Sequence, residues 1–137
     1  CNTTHACFDP KQLVTFYPRG AKALLGPFHK FQPRDTIAWF EARGVELKVE
    51  EDGRMFPTTD NSQTIIDCLL QEARHLGVDI HTKQSVEAIR KEERFKLLIG
   101  DNWIECDYLL FATGSSPAGY KFAKELGHTI IDPVPSL

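Results

Sequence analysis

An α/β fold is predicted from three observations along the 137 residues. First, a helical pattern gives way through glycine to an extended one at Arg43-Gly44-Val45, Leu76-Gly77-Val78 and Leu126-Gly127-His128. Glycine in that position adopts the left-handed conformation that stops a helix. Second, Tyr108-Leu109-Leu110-Phe111-Ala112 is apolar on both faces, as in a strand covered on two sides within a parallel sheet. Third, Phe95–Ile99 and Trp103–Cys106 flank Gly100-Asp101-Asn102, which reads as a hairpin. The residues around the three glycines do not match one another. They mark a recurring αβ connection rather than an internal repeat.

Each element follows from local pattern. Asp9-Pro10 starts a short helical turn through Phe16, broken by Tyr17-Pro18-Arg19-Gly20. Residues 21–32 carry helix interrupted at Gly26-Pro27, and Asp35 caps a helix over Thr36–Arg43. Val45-Glu46-Leu47-Lys48-Val49 alternates as a half-buried strand, Asp52-Gly53 turns it, and Met55-Phe56 returns before Pro57. Asp60 and Gln63 have capping-box spacing and open the longest helix. Its expected apolar face is Ile65, Ile66, Leu69, Leu70, Ala73 and Leu76. Val78–His81 and Ser85–Arg90 are expected extended, Lys121–Leu126 helical, and His128–Ile131 a last strand.

Composition bounds the function classes. Hydrophobic residues are 42% and charged residues 26%, enough for one core and against general disorder. The net charge of −3, with no Lys/Arg-rich run, argues against nucleic acid as a partner. No apolar run approaches the roughly twenty residues of a membrane span, and no signal peptide opens the chain, so a cytoplasmic, membrane-free protein is expected. The chain starts at Cys1 rather than Met and stops at Pro135-Ser136-Leu137, so a fragment of a longer protein is expected.

Three constellations have residue types that carry chemistry. Cys1, His5 and Cys7 are ligand-type residues, but a tetrahedral zinc site needs a fourth ligand and no second cluster supplies it, so no metal is expected. The remaining thiols, Cys68 on the apolar side of a helix and Cys106 in a strand, read as small core residues. Gly114-Ser115-Ser116-Pro117-Ala118-Gly119 misses the nucleophile-elbow spacing by one residue, and His128 precedes Asp132, the reverse of the hydrolase order. Ala112-Thr113-Gly114 fits better. A buried strand ending in Thr-Gly brings backbone amides to the carboxyl edge of a sheet, where open α/β sheets bind ligands.

With that order of elements, the sequence resembles a bacterial FAD flavoprotein family that includes aminoacetone-oxidase-like and bile-acid-reductase-like enzymes. Cys1-Asn2-Thr3-Thr4-His5 resembles the end of its Gly-Gly-Gly-Arg-Cys-Asn-x-Thr-Asn/His signature. Tyr17-Pro18-Arg19-Gly20, Trp39-Phe40-Glu41 with Gly44-Val45, Gly53-Arg54-Met55-Phe56-Pro57 and Leu126-Gly127-His128 with Pro133–Leu137 match further blocks. The resemblance implies part of a two-dinucleotide-binding, Rossmann-like FAD domain with a β-meander, lacking the first βαβ unit. Residues 1–137 would form a single domain fragment. Its first part, 1–57, would hold the flavin-side loop, helices and hairpin, and 58–137 the closing half of the FAD-binding sheet.

The resemblance also implies site residues. Cys1, Asn2 and Thr4 would line the flavin, the Val86 backbone would meet the adenine end, and Ala112, Thr113 and Gly114 would pass the pyrophosphate and flavin. Arg54 is either beside the flavin or a solvated hairpin arginine. Two departures stand out: the glycine-rich strand–turn–helix that binds pyrophosphate is absent, and Ser115 stands where the family often has a second glycine. The inserted domain is absent as well. The expected activity is flavin-mediated hydride or electron transfer on an unidentified small molecule, with NAD(P)H as a candidate reductant and no catalytic acid or base assigned. The competing expectation is a catalytically silent α/β module when separated from its parent chain. An NAD(P)-binding domain is disfavoured, since no G-x-G with a following acidic ribose ligand occurs.

Overall fold

The computed structural model describes residues 2–133. The chain groups into two compact units, Cys1–Asp79 and Ile80–Leu137.

In the first unit a three-stranded antiparallel sheet has the order β1-β3-β2. β3 (Arg54–Pro57) is central, pairing Met55 with Thr4 of β1 (Thr4–His5) and Phe56 with Lys48 of β2 (Leu47–Val49). The Asp52-Gly53 turn forms as the sequence predicts, with Gly53 at φ +82° and its ring-side neighbour His5 directly above it. Helices surround this sheet: α1 (Pro10–Leu13) continuing into a 3-10 turn over Val14–Phe16, α2 (Ala21–Lys30), α3 (Pro33–Glu41) and α4 (Ser62–His75). The core joins Phe40 and Val45 to Ile65 and Cys68, with Trp39 and Leu47 packed against them.

Four helix expectations are corrected. α2 runs through Gly26-Pro27 without interruption. Proline removes one amide there, and the helix ends regularly with Phe31 N–H donating to Pro27 O at 2.9 Å. α3 is capped at Gln32 rather than Asp35, because Pro33 fits the first helical position, where no amide partner is needed. Asp35 reaches back instead, accepting the Gln32 N–H at 2.8 Å. α4 is capped by Asn61, whose side chain accepts the Gln63 N–H at 2.9 Å, while the Asp60 carboxylate goes to Lys48 Nζ. α4 also buries a narrower stripe than its pattern predicts. Ile65 and Cys68 are buried, whereas Ile66, Leu69 and Leu76 are exposed, since only the layer of α3, β2 and β3 lies beneath it.

The second unit is a β-meander, β4 (Val86–Lys91), β5 (Phe95–Ile99) and β6 (Asn102–Cys106), in sequential antiparallel order. The β5–β6 connection is shorter than expected, because Asn102 already pairs with Ile99. α5 spans Pro117–Glu125, starting four residues before its expected Lys121 because Pro117 suits the first turn.

All three predicted αβ glycines behave as expected. Gly44, Gly77 and Gly127 have φ of +78°, +69° and +90°. At each, the following residue donates to the carbonyl five positions back (Val45 to Phe40, Val78 to Ala73, His128 to Ala123), and the glycine donates three back, which is the Schellman closure.

The extended runs after two of them are corrected. Residues 78–81 and 128–131 form no strand, and neither does 108–112. A strand exists only where a neighbour accepts and donates its ladder bonds. Among the described residues none pairs with these runs. Tyr108 and Leu110 are accordingly 93% and 86% exposed.

Candidate functional site

In the first unit the N-terminal segment and the α1–α3 helices enclose a cleft of about 320 Å³. Asn2, Thr4 and His5 line it from the N-terminal segment, held in place by β1 and by Thr3 N–H donating to Met55 O at 2.8 Å. Leu13, Tyr17, Phe28, Phe31, Gln32, Pro33 and Thr36 complete its lining. Tyr17 and Phe28 stand with ring centroids 5.6 Å apart and planes tilted by 50°. Among the described residues no Asp, Glu, Lys or Arg lines the cleft. The His5 ring is fixed by Nε2 donating to Asp52 O at 3.2 Å and by packing against Phe16 at 5.4 Å. That leaves its Nδ1 as an acceptor, buried and without a partner; Gln32 Oε1 is in the same condition.

Of the expected flavin-side residues, Asn2 and Thr4 therefore share one cleft, while Cys1 lies outside the described residues. Arg54 bonds within its own hairpin, Nε to the Asp52 carboxylate at 2.6 Å, and its guanidinium stands 5.4 Å from the Phe56 ring centroid. Backbone and side-chain hydrogen bonds from Arg54 hold Asp52 below the usual carboxylate range. The aromatic lining is not among the residues singled out from sequence. Its signal was the i, i+3 pair Phe28 and Phe31 at the end of α2, beside the Tyr17-Pro18 break.

In the second unit Val86 opens β4 opposite Ile99, at a bulge before Ala88. Ala112, Thr113 and Gly114 form an exposed turn leading into α5. Gly114 sits at φ +57° with open space where a side chain would be. Thr113 O accepts the Ser116 N–H at 3.2 Å, and the Thr113 side chain lies against Gly119. The backbone at Gly114 is thus open to close approach. Among the described residues no group of three or more His, Cys, Asp or Glu side chains gathers as a metal site. Cys7 is buried with its thiol 3.9 Å from Asp9 O, Cys68 is buried, and Cys106 is half-buried. Among the described residues no helix is long and apolar enough to cross a membrane.

Residues 1–134 match the family model described as the HI0933-like protein Rossmann domain. The chain belongs to that family. It is a family of FAD-binding flavoproteins, so the α/β reading and the resemblance both stand. Among curated proteins, the chain is 26% identical over 140 residues to the ribosomal RNA dihydrouridine synthase of Escherichia coli strain K12, covering 96% of this chain and 34% of that protein. It is also 26% identical over 146 residues to the 3-dehydro-bile acid delta(4,6)-reductase of Clostridium scindens, covering 100% of this chain and 35% of that enzyme. The Haemophilus influenzae ribosomal RNA dihydrouridine synthase is 26% identical over 150 residues, covering 100% of this chain and 36% of that protein. This HI0933-like chain therefore spans about a third of the length of the curated relatives it matches.

Proposed function

We propose that this HI0933-like chain is a segment of an FAD-dependent oxidoreductase acting on a small molecule, with NAD(P)H as candidate reductant, in the cytoplasm. The observation that carries the reading is the exposed Ala112-Thr113-Gly114 turn, where the backbone is uncovered and Gly114 leaves open space. Amides and a hydroxyl on such a turn can bind a nucleotide's phosphates and ring edge. When bound, the flavin supplies the hydride or electron chemistry. The chain's own part is to position. Asn2 and Thr4 would orient the flavin ring through hydrogen bonds, Val86 would present its backbone to the adenine end, and the aromatic lining of the cleft would exclude water. The relatives' chemistry agrees in kind, since the delta(4,6)-reductase is by name a reductase.

FAD titration of the purified protein tests this. Micromolar binding with a shifted flavin spectrum, abolished in Gly114→Val, is the expected result. Absence of binding by a longer protein that contains residues 1–137 would overturn it.

The exposure of Tyr108 and Leu110 favours a second reading for the 137-residue chain alone. Unpaired, those residues need further polypeptide to become a strand, and the separated chain would be a catalytically silent α/β module. That reading expects FAD to bind the longer protein and not the 137-residue chain.

A further inference from the structure

The net charge of −3 averages over an uneven distribution. From Pro10 to Arg34 the chain carries Lys11, Arg19, Lys22, Lys30 and Arg34 and not one Asp or Glu. This stretch forms α1, the 3-10 turn and α2 and ends in the first turn of α3, and all five cations are exposed. Helix stability does not explain them. Lys11, Lys22 and Arg34 are each the second residue of their helix, where the macrodipole opposes a positive charge. Ion pairing does not explain them either. Lys48, Lys96 and Lys121 each reach a carboxylate, whereas among the described residues Lys11, Lys22, Lys30 and Arg34 reach none. The flanking acids are engaged by backbone: Asp9 accepts the Lys11 N–H at 2.9 Å and Asp35 the Gln32 N–H at 2.8 Å.

On α2 the charge lies on one face. Lys22, Gly26, His29 and Lys30 recur at helical spacing, so they form one stripe, and all four are exposed. Leu24, Leu25 and Phe28, turned away from it, are the partly buried residues. A Cβ at Gly26 would meet nothing within 4 Å, so a phosphate can approach the stripe closely. Every large apolar side chain exposed between Pro10 and Arg34 is a ring, namely Phe16, Tyr17 and Phe31. No aliphatic group stands out there for insertion into a bilayer. Phe16, 60% exposed on the 3-10 turn that packs against α2, lies outside the cleft and offers a base a stacking surface.

We infer that the α2 stripe binds single-stranded RNA, with phosphates on Lys22 and Lys30 and a base on Phe16. Lys11 and Arg34 add to the local field, which the acidic remainder of the chain hides in the net charge. The proposed cytoplasmic setting selects RNA, the single-stranded polyanion abundant there. The inference is independent of the flavin reading, because the Ala112-Thr113-Gly114 turn belongs to the other unit.

The test is the fluorescence anisotropy of a fluorescein-labelled oligouridylate of about twelve nucleotides, titrated with the purified protein. Micromolar binding is expected. Raising KCl from about 50 to 200 mM should weaken it about 20–50-fold, as three to four released counterions require. Lys22→Ala/Lys30→Ala should weaken binding by about tenfold or more and lower the logarithmic salt slope by about 1.4. Thermal stability of Lys22→Ala should be unchanged or raised, since the change relieves the helix dipole. Phe16→Leu should weaken binding about tenfold and leave the salt slope as it is. Lys121→Ala/Lys124→Ala, which removes the same charge from α5, should stay within about threefold. Absence of RNA binding would overturn the inference, as would an equal loss in the α5 variant. Equal or tighter binding of a DNA duplex, displacement of the RNA by FAD, or capture by phosphatidylserine vesicles in place of RNA would do the same.

Discussion

The Thr113 side chain rests on the backbone of Gly119, so closely that a methyl group at position 119 would stand 2.9 Å from Thr113 Cβ and overlap Oγ1. The first turn of α5 and the proposed nucleotide turn are therefore one mechanical piece. Gly119→Ala should displace residues 112–114. Overpacking costs about 1–3 kcal/mol, while alanine regains up to about 1 kcal/mol of helix propensity, so a net loss of about 1 kcal/mol is expected. Thermal unfolding measures it, with FAD affinity falling in parallel. The Thr113→Gly/Gly119→Ala double variant should recover stability, which is the signature of a direct contact.

Gly53 combines a left-handed backbone with a close neighbour: a Cβ there would lie 2.7 Å from His5 Cε1. Gly20 has a similar φ of +79° and open space. Alanine at 20 should therefore cost about 1 kcal/mol of backbone strain. Alanine at 53 should cost about 1–3 kcal/mol more through the displaced ring. Denaturant midpoints for the two variants separate the contact from the strain.

The uneven burial of α4 gives a sharp contrast between adjacent isoleucines. Ile65 is 7% exposed and Ile66 is 45% exposed. Ile65→Ala should lose about 2–5 kcal/mol, and Ile66→Ala should stay within about 0.5 kcal/mol. Urea unfolding of the two variants checks the face that α4 presents to the core.

Arg43 ties α3 to α4. It donates to Trp39 O at 2.9 Å and to the Glu72 carboxylate at 2.5 Å, with its guanidinium 3.8 Å from the Trp39 ring centroid. The hydrogen bond from Arg43 holds the Glu72 carboxyl below the usual carboxylate range. A depressed folded pKa means the unfolded chain binds the proton more readily. Stability from this pair is thus fully present above the unfolded value of about 4.3 and is lost as pH falls through the lower folded value. Glu72→Gln should remove that component. Urea midpoints for the wild type and the variant should differ at pH 7 and converge as the pH approaches 3.

How much was legible in the sequence depended on whether a signal was local. The three Schellman glycines, the Asp52-Gly53 turn and the β5–β6 hairpin are specified by neighbours within a few residues, and all formed, the hairpin with its turn shorter by Asn102. Helix starts slipped by one to four residues because several cap candidates compete, Asn61 against Asp60 and Gln32 against Asp35. Pairing is not local. Residues 78–81, 108–112 and 128–131 have the composition of strands, but composition selects a face and cannot supply a partner. The cleft was illegible for a related reason: Tyr17, Phe28, Phe31 and Gln32 meet Asn2, Thr4 and His5 only after β1 has paired with β3.

The uncovered run at 108–112 has a consequence for handling the molecule. An apolar, strand-prone run without a ladder partner among the described residues, with Tyr108 and Leu110 exposed, is a template for edge-to-edge adhesion between copies. Self-association should rise steeply with protein concentration, and a single lysine at Leu110, 86% exposed, should suppress it.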